Sequence, residues 1–221
     1  MMRNTLFGKV SLARAAVLGA FVLGVLPAGL DVSVLAQKAD AGVNAGVKKP
    51  GKINMAPFRA FLARSRKLHE QGKLDLSKRQ TITVEADRAE DGTLSNPSVT
   101  GESAANPNFR AVAQDFVSSL SESRALQPLE GVSHVTMTFT LDGDSFTAHT
   151  LSETPSEARA EEMARGYRMM LNLGRMMRRG TPEGVVLSGM KLSSSGKHLV
   201  MNLDTTREAM GNLLLKQVTP N

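Results

Sequence analysis

The feature that most constrains this chain is a pattern that recurs three times beyond residue 80: an alternating apolar/polar run, a turn signal, a second such run, and a stretch with helical period. Period-two runs joined by tight turns pair as antiparallel hairpins with one apolar face, and the helical stretches must then cover that face. In the first unit TITVEAD places Ile82, Val84 and Ala86 on one side, Asp91-Gly92 marks a turn, and TLSNPSVTG returns, weakened as a strand by Pro97. The following NPNFRAVAQDFVSSLSES reads as a helix with Asn106 as N-cap and Pro107 in its first turn. Phe109, Val112, Ala113, Phe116, Val117 and Leu120 form its apolar stripe.

The second unit alternates Val135, Met137, Phe139 and Leu141, turns at Asp142-Gly143-Asp144 and returns through SFTAHTL. Thr154-Pro155-Ser156-Glu157 reads as a capping box with proline in the first helical position. The helix behind it runs to about residue 179, with Met163, Tyr167, Met170, Leu171 and Gly174 on one face. Glutamates at its start and Arg175, Arg178 and Arg179 at its end suit the helix dipole, and Gly180 is a stop. The third unit reads as a strand VVLSGMKL, a turn over residues 193–196, a strand KHLVMNLD, and a helix TREAMGNLLLKQV behind a second capping box, Thr205 to Glu208. Met210, Leu213, Leu214 and Gln217 keep its helical spacing. The expected fold is α+β: a mainly antiparallel sheet built from three successive strand-turn-strand-helix units, with the helices on one face. Thr136, Thr138 and Thr140 point to a wet second face.

Ahead of this domain the chain changes character. Arg3, Lys9 and Arg14 precede an apolar run over residues 15–30, AAVLGAFVLGVLPAGL, with small residues at Val34 and Ala36. That is the layout of a secretory signal, cut after Ala36, and its 16 residues fall short of a bilayer span. An uncleaved anchor is the alternative. The chain therefore divides into residues 1–36 as signal peptide or N-terminal anchor, 37–55 as a flexible Ala/Gly/Lys-rich linker, 56–72 as a basic amphipathic helix, and 81–221 as the α+β domain. The expected location is periplasmic or secreted, or the inner membrane if the segment stays. None of the 221 residues is cysteine, so disulfides, thiolate metal sites and cysteine nucleophiles are excluded.

The net charge of +6 is unevenly spread. Residues 48–79 hold ten Lys/Arg against Glu70 and Asp75, whereas from residue 80 onward 17 acids outweigh 13 bases. Arg59, Arg64, Arg66 and Lys67 of the basic helix are the candidate contacts to an anionic membrane surface; the plain reading is a solvated charged helix. Nucleic acid is the weaker partner, since export argues against it and only Phe58 and Phe61 could stack on bases. The 12 methionines read as adaptable core filler.

Residues 81–141 resemble the C-terminal domain of TonB-type energy transducers. The resemblance rests on TITVEAD, on DGTLSNPSV around its D-G pair, on the small-residue region TGESAANPNF, on the helix AVAQDFVSSL, and on LQPLEG with Pro128 ahead of VTMTFTL. It implies a cell-envelope domain that binds partners. Two departures bear on it: the family's long Pro-rich spacer is replaced by a linker holding only Pro50, and a long helix and a hairpin-helix unit follow over residues 142–221.

No catalytic or cofactor constellation is recognisable. His69, His134, His149 and His198 form no metal-ligand spacing, although His134 and His149 could meet across the second hairpin. Ser193-Ser194-Ser195-Gly196 fits no nucleophile motif, and Gly42, Gly46 and Gly51 form no phosphate loop. The expected role is a non-enzymatic binding protein of the cell envelope, with an added partner strand as one mode of binding. An envelope enzyme of unrecognised type and a structural component are the alternatives. If the leader is processed as read, mass spectrometry of the mature chain finds Gln37 at its N-terminus; an intact Met1 on a soluble cytoplasmic protein contradicts export.

Overall fold

The computed structural model describes residues 54–218, with side chains as far as Leu213. The leader, its cut after Ala36, most of the linker and the side chains of Leu214 and Gln217 lie outside the described residues. The elements are α1 (Ala56–Glu70), β1 (Gln80–Arg88), β2 (Leu94–Thr100), a one-turn 3-10 helix (Glu102–Ala105), α2 (Pro107–Ser123), β3 (His134–Asp142), β4 (Ser145–Glu153), α3 (Glu157–Met177), α4 (Pro182–Gly189), β5 (Met190–Ser195), β6 (His198–Thr206) and α5 (Arg207–Val218). Six strands make one sheet in the order β2-β1-β3-β4-β6-β5, every pair antiparallel. The fold is α+β, with all three hairpins in place.

Alternation decides which face is covered. Ile82, Val84, Ala86, Val135, Met137, Phe139, Leu141, Phe146, Ala148, Met190 and Leu192 turn to the helices and are buried. The residues between them, mostly threonine on β1 and β3, form the outer face. The core centres on four rings. Phe116 of α2 stacks edge-on against Phe139 of β3 with centroids 5.4 Å apart. Phe61 and Phe58 of α1 lie 5.7 and 6.5 Å from the same Phe116. The basic helix therefore belongs to the domain core, packed on α2 through Phe58, Phe61 and Leu62.

The third unit departs from the sequence reading. VVLS is helical: Thr181 caps α4 by accepting a hydrogen bond from the Gly184 amide, with Pro182 in the first turn and Glu183 beside it. Three capping signals outweigh the β-preference of Val185 and Val186, and β5 begins only at Met190. The hairpin turn is the pair Gly196-Lys197 rather than residues 193–196, because Gly196, at φ 53°, supplies the positive dihedral that a two-residue turn needs. Both capping boxes shift as well. Ser156, not Thr154, caps α3, while the Thr154 hydroxyl donates to the carbonyls of Ser156 and Lys197. Thr206, not Thr205, receives the Ala209 amide at the start of α5.

A second buried device orders the loop between α2 and β3. Arg88 continues the inward alternation of β1, and its guanidinium donates to the carbonyls of Leu126, Val132 and Gln127 at 2.9, 3.2 and 3.1 Å. Three carbonyl dipoles offset the cost of burying this charge, which works against its protonated form. The turn after β1 locks onto the same loop: a Cβ on Gly92 would lie 2.5 Å from the Gln127 amide nitrogen. Tyr167 of α3 completes the clamp by donating to the Pro128 carbonyl at 2.8 Å. Burial pushes its phenol up to about 12. As it is the sole tyrosine, an absorbance titration reads it alone: no phenolate should form near pH 10, its ordinary pKa, and a normal titration there contradicts the clamp.

Candidate interaction surfaces

Among the described residues, one-sided cover leaves three kinds of surface free: the outer sheet face, the two sheet edges and the backs of the helices. On the outer face, side chains align in rows across the strands. One row runs Thr100, Thr83, Thr138, His149, Asn202, Lys191 over all six strands. Neighbours in it bond laterally: the Thr83 and Thr138 hydroxyls are 2.9 Å apart, and His149 Nδ1 meets Asn202 Oδ1 at 2.5 Å. A parallel row carries Asp87, His134, Glu153 and His198. His134 Nδ1 lies 2.8 Å from Asp87 Oδ1, and the Asn96 amide donates to the other carboxylate oxygen at 2.8 Å. These bonds, Asn96 first, hold the Asp87 carboxyl below its ordinary range. His134 opposes Glu153 and His149 opposes Thr138, so the two histidines do not meet across the hairpin. Among the described residues no three His, Asp or Glu side chains come close enough to hold a metal ion.

The two edges differ. In β2, Asn96 and Pro97 bulge out opposite the single residue Ala86, with Asn96 at φ 49°. Proline removes a donor, the bulge breaks the ladder, and Ser121 of α2 takes the Leu94 amide at 2.9 Å. β5 keeps unbroken register with β6 from Met190 to Ser195, without proline or bulge. Because Ser195 and His198 close a two-residue hairpin, the backbone groups of Leu192 and Ser194 point away from β6. Among the described residues a side chain, that of Arg175, caps the first carbonyl of this edge, that of Met190.

The four cations chosen from the sequence do not act as a set. Arg64 is engaged by Asp115 of α2 through Nε at 2.8 Å and Nη2 at 2.5 Å, which raises its pKa further. Arg66 binds Glu70 one turn on, at 2.7 Å. Arg59 and Lys67 stay exposed. Phe58 and Phe61 are buried and unavailable for stacking on bases. The sequence reading missed the back of α3. Met169, Met176 and Met177 are among the most exposed large apolar side chains, against the expectation of core filler, whereas Met137, Met163, Met190 and Met210 do fill the core. Spacing alone could have shown this, since Met169, Leu173 and Met176 lie opposite the Ala164, Leu171 and Gly174 stripe. No helix among the described residues is long and apolar enough to cross a membrane. No family model, curated protein or solved structure matches the chain.

Proposed function

We propose that this chain is an exported cell-envelope protein with a non-enzymatic binding role, and that it takes a partner by strand addition along β5. The observation that carries the reading is the inequality of the edges: β2 is bulged, proline-bearing and tied to α2, while β5 keeps outward-facing amides and carbonyls in regular spacing. Unpaired strand edges attract further strands, and folds that do not use them blunt them. The partner is an extended segment of another envelope protein. Its alternate side chains would lie along Lys191, Ser193 and Ser195 on the outer face. The basic-then-apolar leader supports the location, and the TonB C-terminal-like pattern over residues 81–141 supports a partner-binding domain of the envelope.

The test places a photo-crosslinking side chain at Ser193 and, separately, at Ser98 on β2, in cells that make the chain. Crosslinks to one envelope protein should form from the Ser193 position and not from Ser98. Ser194→Pro removes an outward-facing donor without touching the β6 ladder, so it should keep the melting temperature within a few degrees and abolish the crosslink. Equal crosslinking from both edges, or from the proline variant, contradicts strand addition at β5.

A further inference from the structure

We propose that the back of α3 is a docking surface for an anionic phospholipid bilayer. The outward side of this helix carries Met169, Met176 and Met177, with relative exposures of 71, 77 and 58 %, and the half-buried Leu173 between them. At positions i, i+4, i+7 and i+8 these side chains form one stripe about two turns long. Single exposed apolar residues need no explanation, but a stripe on the most solvent-facing line of a helix is an apolar patch that no described element covers. Val185, exposed at 54 %, adds to the apolar surface at the first turn of α4. That turn is held against the end of α3, since a Cβ on Gly184 would fall 2.0 Å from the Arg178 carbonyl oxygen.

The charge beside the stripe has one sign. Between Met163 and Pro182 the sequence holds five arginines and no Asp or Glu. Arg175 is committed to the carbonyls of Leu187 and Met190. Arg165, Arg168 and Arg179 are exposed and Arg178 is half-buried, and none has a carboxylate within ion-pair distance among the described residues. The nearest acids along the chain are spent or averted: Glu162 binds Arg159 at 2.8 Å, and Glu183 turns its Oε2 atom inward. Only Glu161 remains near Arg165, and it makes no ion pair with it.

Arg165, one turn before Met169, and Arg179, three residues after Met176, bracket the apolar line, which matches the layering of a lipid interface, where phosphates lie outside acyl chains. An anionic bilayer satisfies both halves at once. Nucleic acid would leave the methionines uncovered and would want exposed rings, yet all six phenylalanines among the described residues are buried. The helix lies along the surface rather than across it, since it joins the core through Met163, Ala164 and Leu171. This surface is separate from the β5 edge and does not depend on strand addition.

The test is co-sedimentation of the chain from Gln37 onward, which contains every described element, with vesicles of phosphatidylglycerol and phosphatidylcholine or of phosphatidylcholine alone. Binding should appear only with the anionic vesicles and weaken steeply as salt rises. Replacing Arg165, Arg178 and Arg179 together by Gln should lower partitioning on the order of a hundredfold. M169Q/M176Q/M177Q should weaken binding at low salt as well, because it removes the inserted groups. R59Q/K67Q and Ser194→Pro should bind as the parent does, which separates this surface from α1 and from the β5 edge. All variants alter exposed or half-exposed positions and should keep the circular dichroism spectrum. Failure of the parent to bind anionic vesicles, undiminished binding by the arginine and methionine variants, or capture by RNA or an acidic protein alone would overturn the proposal.

Discussion

Phe116 is the residue on which the arrangement turns. It touches Phe58 and Phe61 on α1 and Phe139 on β3, so one ring joins the first helix, the second helix and the centre of the sheet. A chain without cysteine has no covalent staple, and burial must hold the whole. Truncating a ring in such a place typically costs about 3–5 kcal/mol, a large share of a domain's net stability of about 5–15 kcal/mol. The cluster also settles where the basic stretch goes. Once Phe58 and Phe61 are drawn in, the arginines of α1 face outward, and two of them meet Asp115 and Glu70.

Everything left for function follows from covering the sheet on one side. The helices take the apolar face and leave rows of threonine, histidine and asparagine on the other. The sheet does not close, so two edges remain, and only β2 is blunted by a bulge and a proline. The helices in turn have backs. On α2 and α1 those backs are polar or ion-paired; on α3 they carry methionine and arginine. An unblunted strand edge at β5 and a cationic, apolar helix back on α3 are the two surfaces this arrangement leaves among the described residues.

The antiparallel hairpins were legible because Asp91-Gly92 and Asp142-Gly143 punctuate clean alternation: Asp91-Gly92 lies between β1 and β2, while Asp142 ends β3 opposite Ser145 and the second turn itself is Gly143-Asp144. Asn106 and Pro107 announced α2 for equally local reasons. What misled was the short apolar run after Pro182. Two valines and a leucine suit a strand and a buried helix turn alike, and the cap at Thr181 with Pro182 and Glu183 behind it separates the two. Strand order was not legible, because nothing local says that β1 pairs with β3 or that β4 pairs with β6. The surfaces were harder still. Arg64 and Arg66 look free in sequence because Asp115 is far along the chain and the Glu70 pair depends on rotamer. Methionine on α3 reads as core until it is known which side of the helix meets β5 and β6.

Residues 56 to 213 share one hydrophobic core, and among the described residues β5 is the sheet edge left without bulge or proline. Hydrogen exchange resolved along the free monomer tests this arrangement directly. Amides of α1 should be protected to the same degree as those of α2 and β3, since the aromatic cluster makes them open together, while β5 exchanges faster than β6 at its outward-facing positions. A helix α1 that exchanges freely while β3 stays closed, or a β5 as protected as the central strands, would contradict it.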